Sequence, residues 1–469
     1  MGAAALILAA GEGTRMKSAL PKVAHEILGI PMVRYVVDAA RSAGCDRVIV
    51  VTGHGAQAVE ALIPGETCVR QEQQLGTGHA VMCAGEALGE VTGSLVVLSG
   101  DSPLLRPETI SRLIEAQITS RAAAVVLTTV LDDPTGYGRI MRDGEGQLKA
   151  IVEHKDLAPH DLGLDEVNTG TYCFDARVLF EHLHRLQNEN AQGEYYLTDM
   201  IHLLSQEGLP VTSIRTDEPM ETLGVNSRVQ LAEAGKVLQR RINREHMLAG
   251  VTMTDPELVW IAPGVHLGRD VVLEPMTFLL GGVEVGSGCV IGPDTRVTDS
   301  TVGEGCRIDS SIVLGSTLSS GVTVGPRAYL RPGTVIKTGG KVGTSVEIKN
   351  STVGEGSKVP HLSYIGDAEI GKDVNVGAGT ITCNYDGSRK HKTIIGDGAF
   401  IGSDTMLVAP VNIGSGAVTG AGSAIARDVP DGALGIERSE QRTVEGWAAR
   451  RRGAGSNGSD TESGRADER

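Results

Sequence analysis

The feature that most constrains this chain is a six-residue period. From Leu267, aliphatic side chains recur at Leu273, Leu279, Val285, Ile291 and Val297, then at Val302, Ile308 and Leu314. The series runs on from Leu318 through Val324, Leu330, Ile336, Val342 and Ile348, and again through Val353, Val359, Ile365, Ile370 and Val376. After an interruption Ile395, Ile401, Leu407, Ile413 and Ile425 close it. A hexapeptide period held this long predicts a parallel β-helix. Each unit makes one short strand and a corner, and three units make a triangular turn of about 18 residues. The aliphatic residue fills a core too narrow for aromatics, and glycine suits the tight corner. This accounts for 62 glycines in 469 residues and for an aromatic content of only 3%. Residues 382–394 are too polar for a coil and are expected to leave it as an excursion loop. Residues 441–469, rich in Gly, Ser, Arg and acids, are expected to be disordered.

Residues 1–227 follow another pattern. Short apolar runs such as Leu6–Leu8, Val48–Val51 and Leu95–Leu98 end at glycine-containing turns, with helical stretches between them. This βαβ alternation predicts a Rossmann-like α/β domain with a mainly parallel sheet. Ligands of such sheets bind at the carboxyl ends of the strands, where the Gly11 turn and Asp101 both fall. Residues 228–248 are expected to form a linking helix, with Leu231, Val237, Leu238 and Ile242 on one side. The β-helix domain then spans 249–440.

A net charge of −15 argues against nucleic acid as a partner, because backbone phosphates need a basic surface. Seven scattered cysteines without a C-x-x-C pair suggest reduced thiols in the cytoplasm. No apolar run reaches the roughly 18 residues of a membrane span, so no membrane insertion is expected. The segment Ala3 to Ala10 reads as a buried first strand rather than a signal peptide.

Several clusters carry chemistry. Leu8-Ala9-Ala10-Gly11-Glu12-Gly13-Thr14-Arg15-Met16 leaves a strand and enters a helix, so its small residues let backbone amides wrap an anion. Arg15 and Lys22 add positive charge. Met16 stands where a dinucleotide fingerprint needs glycine, and no Walker Gly-Lys-Ser/Thr occurs. In the repeat region, Arg331 and Lys349 are 18 residues apart and should stack on adjacent turns, where an anion would relieve their repulsion. Ser403 and Ala421 should stack in the same way. His361 sits in Val359-Pro360-His361-Leu362-Ser363-Tyr364.

With these motifs the chain resembles the bacterial bifunctional N-acetylglucosamine-1-phosphate uridyltransferases/glucosamine-1-phosphate acetyltransferases. Gln71 with Gln74-Leu75-Gly76-Thr77-Gly78-His79-Ala80, Gly100-Asp101, Thr135-Gly136-Tyr137-Gly138-Arg139-Ile140, Ile151-Val152-Glu153-His154-Lys155, Asn168-Thr169-Gly170 and Gly224-Val225-Asn226 follow that family's order. The resemblance implies that Leu8, Ala9, Ala10, Gly11 and Lys22 contact the nucleotide and that Gln71, Gly76 and Thr77 read uracil. Gly138, Glu153 and Asn168 would hold the sugar. Asp101 and Asn226 would hold Mg²⁺, while Arg15 and Lys22 neutralise charge as the sugar phosphate attacks UTP. In the second half it implies a left-handed β-helix with His361 as general base. Arg331, Lys349, Tyr364 and Asn375 would bind glucosamine-1-phosphate. Ala378, Asn384, Tyr385, Ser403, Ala421 and Arg438 would border acetyl-CoA, and Glu347 would support His361. The implied product is UDP-N-acetylglucosamine, which feeds cell-envelope glycan synthesis, and the implied assembly is a homotrimer. Ser99 stands where the family often has Tyr, and Pro360 where it commonly has Gly or Asn.

Two other readings compete. One is a sugar nucleotidyltransferase whose β-helix is only an oligomerisation or effector arm, against which His361 and Asn384-Tyr385 argue. The other is a non-catalytic regulatory subunit, against which Arg15, Lys22 and Asp101 argue. The basic run 389–392 is open to contact with a neighbouring chain or a CoA phosphate, and a solvated loop tip is the preferred reading.

Overall fold

The structure is a computed structural model and describes residues 2–89 and 91–455. The chain divides into two compact units, Met1–Gly315 and Ser316–Arg469.

The first unit is built on a nine-stranded sheet. In chain order its strands are β1 (Ala3–Ala9), β2 (Cys45–Thr52), β3 (Thr67–Arg70), β4 (Ser94–Ser99), β5 (Ala124–Val130), β6 (Arg139–Arg142), β7 (Leu148–Val152), β8 (Glu166–Asp175) and β9 (Val211–Arg215). The main path runs β9-β5-β8-β4-β1-β2-β3, and the β6–β7 hairpin pairs onto β8. β1 is parallel to both β2 and β4, whereas β8 is antiparallel to β4 and β5. The sheet is therefore mainly parallel, with an antiparallel insertion. Its central strands are apolar throughout because helices cover both faces. Leu6, Ile49, Val51, Leu95 and Val97 face one core, and Ile7, Val48, Val50, Val96 and Leu98 face the other.

A helix occupies Arg228–Leu248, and the Ser227 hydroxyl caps it by accepting from Gln230 N–H. Its buried residues are Ala234, Gly235, Leu238, Gln239 and Asn243. The expected apolar stripe is thus only partly right, since Leu231, Val237 and Ile242 are half-buried. The reason is that the helix has two neighbours. Leu231, Ala234, Val237 and Leu238 pack on Ile27, Met32 and Leu104 of the sheet domain. Gln239 and Asn243 instead donate to the Val259 carbonyl of the first coil, at 2.7 and 2.9 Å. These buried polar contacts tie the first coils to the helix, so the unit boundary falls inside the repeats.

The coils of the first unit stack in parallel register. Leu273 lies opposite Ile291, 18 residues on, and Val285 opposite Val302, 17 residues on. The repeat thus mixes turns of 16, 17 and 18 residues, the shortest where Val297 pairs with Val313. One inward residue also differs from expectation. Val297 pairs with Val313, which is fully buried, and Leu314 is half-buried.

The second unit continues the pattern within itself, with Leu318 opposite Ile336, Ile336 opposite Val353 and Val353 opposite Ile370. Inward aliphatics such as Leu330, Ile348 and Ile365 are fully buried, while Tyr329 and Phe400 point outward and are exposed. The excursion is shorter than expected. Ile381–Cys383 and Thr393–Ile395 are strands, so only residues 384–392 leave the coil. Thr382 occupies an inward hexad position because its hydroxyl accepts from Gly366 N–H at 2.7 Å, which satisfies a polar group in the core. Within the segment expected to be disordered, Trp447–Gly455 is a helix. Residues 456–469 lie outside the described residues.

Candidate functional site

The carboxyl ends of β1 and β4 open onto a cavity of about 280 Å³. Leu8, Ala9, Ala10, Gly11, Lys22, Gln71, Gly76, Thr77 and Asp101 all line it, together with Ser99, Gln74 and Glu194. Local backbone needs explain part of this wall. Gly76 has φ 105°, and a Cβ there would lie 2.6 Å from the Tyr195 carbonyl oxygen, so a side chain does not fit. That same carbonyl accepts from Gly78 N–H at 2.7 Å, and Thr77 Oγ1 accepts from Leu197 N–H at 3.0 Å. Gln71 Nε2 donates to the Gly76 carbonyl at 3.1 Å, which fixes the orientation of the carboxamide.

Lys22, Asp101 and Asn226 meet although they lie far apart in sequence. The Lys22 ammonium pairs with the Asp101 carboxylate and donates to Asn226 Oδ1 at 3.0 Å. The Asp101 carbonyl accepts from Val225 N–H at 2.8 Å, which brings the two loops together. Two oxygen donors thus converge on one positive charge. Hard oxygens of this kind suit Mg²⁺, which takes few protein ligands and keeps water and phosphate oxygens. Among the described residues no group of three or more His, Cys, Asp or Glu forms a denser metal site. Arg15 does not line the cavity. It stands on an exposed turn, near enough to Tyr137 to oppose the upward push that burial and Asp101 give that phenol.

Gly138, Glu153 and Asn168 form a row across three strands. Arg139 is in register with Val152 and with Val167, so the next position on each strand brings these three side by side. The Gly138 carbonyl accepts from Asn168 N–H at 2.9 Å. Asn168 Oδ1 accepts from Gly170 N–H at 3.1 Å, and its Nδ2 donates to Tyr172 Oη at 2.7 Å. A Cβ on Gly170 would lie 3.3 Å from Ser99 Oγ, which connects the row to the cavity lining.

The second cluster lies on the coils of the second unit. The register Leu330 opposite Ile348 sets Arg331 beside Lys349. Arg331 Nη1 donates to Glu347 Oε1 at 2.8 Å, so Glu347 is engaged by Arg331 instead of His361. Lys349 has its pKa lowered, first by the adjacent Lys390 ammonium and also by Arg331. The run 389–392 is exposed, as a solvated loop tip is, except for half-buried His391, and its side chains pair within the chain, His391 with Asp386 among them. Asp386 accepts from Ser388 and Arg389 N–H at 2.7 and 2.6 Å, which folds the excursion back. Lys392 pairs with Glu369. Beside these cations, burial would raise the Asp367 carboxyl, but hydrogen bonds from Asn350 and Asn384 and the charges of Lys390 and Lys349 hold it low.

Tyr364 pairs in register with Glu347. A Cβ on Gly366 would lie 2.5 Å from Tyr364 Oη and 2.6 Å from Asn384 Nδ2, so both side chains lean over that glycine. His361 is exposed at a strand end opposite Thr344. Pro360 leaves it in regular strand, and the left-handed φ of 49° falls on Leu362. Asn375 pairs with Lys358 and Phe400, and the Ala378 carbonyl accepts from Asp404 N–H at 2.6 Å. Phe400 opposite Val418 sets Ser403 over Ala421, whose carbonyl accepts from Arg438 at 3.1 Å. Tyr385 is exposed on the excursion.

Comparison with known proteins agrees with this two-part layout. The MobA-like NTP transferase domain family matches residues 5–197, and the GlmU-like, C-terminal hexapeptide family matches residues 292–378. The bifunctional protein GlmU of Heliobacterium modesticaldum is 51% identical over 448 residues, covering 95% of this chain and 98% of that protein. The GlmU of Trichlorobacter lovleyi is 47% identical over 96% of this chain and 99% of its own length. That of Desulfitobacterium hafniense is 51% identical over 95% and 98%. The chain belongs to the bifunctional GlmU family.

Gln74 and Glu194 are among the cavity residues that had no role assigned from sequence. Gln74 lies inside a quoted motif, whereas Glu194 sits in Gly193-Glu194-Tyr195-Tyr196, which carries no chemical signal of its own. Glu153 shows what the site costs the fold. Burial raises its carboxyl above the ordinary 4.5, the Thr198 hydroxyl opposes this, and Asp199, Asp156 and Glu194 add to it. An ionised carboxylate there weighs against folding. The penalty is absent below pH 4.5, grows as pH rises through the folded-state value and is complete above it. Glu153→Gln is therefore expected to raise Tm near neutral pH by a few degrees, with no gain in acid. Thermal melts of both proteins across pH check this, and a gain confined to acid would reverse the assignment.

Proposed function

We propose that the chain makes UDP-N-acetylglucosamine in two steps at two sites. In the first, acetyl-CoA acylates the amine of glucosamine-1-phosphate. In the second, the phosphate of N-acetylglucosamine-1-phosphate attacks the α-phosphorus of UTP and pyrophosphate leaves. The observation that carries this reading is the pair of separate phosphate-suited clusters, Lys22 with Asp101 and Asn226 at a strand-end cavity, and Arg331 with Lys349 and Lys390 on the coils.

For uridyl transfer, the loop from Leu8 to Gly11 and Lys22 receive the nucleotide phosphates, and Gln71, Gly76 and Thr77 receive the base. Gly138, Glu153 and Asn168 hold the sugar so that its phosphate lies in line. Asp101 and Asn226 would hold Mg²⁺, which neutralises phosphate charge when bound. Arg15, on its exposed turn, and Lys22 supply further positive charge to the transition state.

For acetyl transfer, Arg331, Lys349, Tyr364 and Asn375 bind the sugar phosphate. His361 takes a proton from the sugar ammonium, since only the free amine attacks a thioester. Asn384 or Ser403 donates to the oxyanion, and Ala378, Tyr385, Ala421 and Arg438 border the thioester ligand. The outward apolar side chains Phe400, Val418 and Leu434 stack along one face of the coils. They support a homotrimer assembled through the β-helix. No described helix is long and apolar enough to cross a membrane, and seven scattered cysteines without a C-x-x-C pair fit a cytoplasmic enzyme.

The test is incubation of purified protein with glucosamine-1-phosphate, acetyl-CoA, UTP and Mg²⁺, with products resolved by mass. UDP-N-acetylglucosamine and pyrophosphate are expected. Formation of the nucleotide sugar only from pre-acetylated substrate would remove the acetyl-transfer half.

A further inference from the structure

Arg139 is a fully buried arginine, 1% exposed, on a strand next to the sugar row. Among the described residues it forms no ion pair with a carboxylate. Its guanidinium donates to three backbone carbonyls instead. Nε donates to Leu164 at 2.8 Å, and Nη1 to Pro134 at 2.7 Å and Tyr137 at 2.5 Å. Nearby Asp133 has its pKa lowered mainly by hydrogen bonds from Thr135, and Arg139 contributes last. A buried charge satisfied by dipoles is expensive for stability, and a neutral side chain of similar volume would cost less. The expense is explained by what the three carbonyls belong to.

Pro134 and Tyr137 lie on the loop that delivers Gly138. Leu164 lies on the loop that enters β8 ahead of Asn168. Arg139 itself is in register with Val152 and Val167, one step from Glu153 and Asn168. The planar guanidinium therefore fastens two loops from the strand that sits between them. Lysine carries the charge but not the fork that spans separated acceptors.

We propose that Arg139 is the positioning residue of the sugar pocket, a guanidinium staple that sets the spacing of Gly138, Glu153 and Asn168 and so selects and aligns the N-acetylhexosamine phosphate. This rests on the reading of those three residues as the sugar-holding row. Arg139 touches no substrate; it acts through the carbonyls it holds.

The experiment uses the full chain with Arg139→Lys, Arg139→Ala and, as a direct-contact control, Asn168→Ala. Uridyl transfer is measured with UTP and N-acetylglucosamine-1-phosphate varied separately. A displaced positioning group is expected to raise KM for the sugar phosphate by about ten- to a hundredfold. KM for UTP should stay within about twofold, because the uracil and phosphate walls keep their own hydrogen bonds. Methylguanidinium added to Arg139→Ala should restore part of the lost sugar affinity, which a general loss of folding would not allow. Equal rises in both KM values, or a loss that methylguanidinium leaves untouched in folded protein, overturns the proposal. If Asn168→Ala leaves KM for the sugar phosphate unchanged, the sugar-row reading fails. If Asn168→Ala raises it and Arg139→Lys does not, the staple alone fails.

Discussion

His361→Ala is expected to lower acetyl-transfer turnover by about 10²–10⁴-fold, the range typical of a positioned general base, and to leave uridyl transfer unchanged. The imidazole is exposed at a strand end and packs no core, so its removal leaves little cavity to destabilise the coil. Binding of glucosamine-1-phosphate should change far less, since the proposed reading gives its attraction to Arg331 and Lys349, with Lys390 beside them. Arg331→Ala should behave in the opposite way. It removes an interaction made in both ground and transition states, so KM for the sugar phosphate rises while turnover holds. It also frees Glu347, which otherwise accepts from Arg331 at 2.8 Å. A carboxylate left beside the incoming phosphate deepens the KM effect, and Arg331→Ala with Glu347→Gln should recover part of it. Steady-state kinetics and melts on the same preparations decide the matter. Near-normal turnover with a lowered Tm in His361→Ala would make the histidine structural.

Much of this architecture is legible because the coil core is one residue wide. Each inward position takes a single aliphatic, so burial writes itself into sequence at nearly every sixth place. The same narrowness explains the misreadings. Corners can each lose a residue while the ladder is kept, as in the 16-residue turn from Val297 to Val313, and a strict count of six then lands on Leu314. A threonine can stand inside when a neighbouring backbone amide satisfies its hydroxyl, as Thr382 does, and polarity then imitates a loop. In the sheet domain, strand ends and the glycine turn were visible because they obey local rules. What joined Gly138, Glu153 and Asn168 into a row was antiparallel register, which depends on pairing between strands and leaves no local trace. The buried face of the helix Arg228–Leu248 was obscured for the same reason. Gln239 and Asn243 look like solvent-facing residues until the Val259 carbonyl is placed against them.

Asp101→Asn is expected to reduce uridyl transfer by at least about 10²–10³-fold, the scale for losing one preorganised electrostatic group in a catalytic site, with acetyl transfer intact. The geometry gives this substitution a clear meaning. Asp101 and Asn226 both direct oxygens at the Lys22 ammonium, so a cation already occupies the point where their negative potential is greatest. On the proposed reading, Asp101 and Asn226 would hold Mg²⁺ in place of the Lys22 ammonium, and Lys22 would be free to meet the nucleotide phosphates. Asparagine at position 101 keeps an oxygen acceptor for Lys22, and the fold should survive with Tm lowered by only a few degrees. It supplies no negative charge, so it cannot win that exchange for a strongly hydrated ion. Raising Mg²⁺ should therefore recover little activity. EDTA should abolish uridyl transfer in the unaltered enzyme and spare acetyl transfer. Activity measured across Mg²⁺ concentration in both proteins tests the exchange directly: full recovery of Asp101→Asn at high Mg²⁺ would reduce Asp101 to a contributor of affinity alone, and equal loss of both activities in folded protein would overturn the proposal of two separate sites.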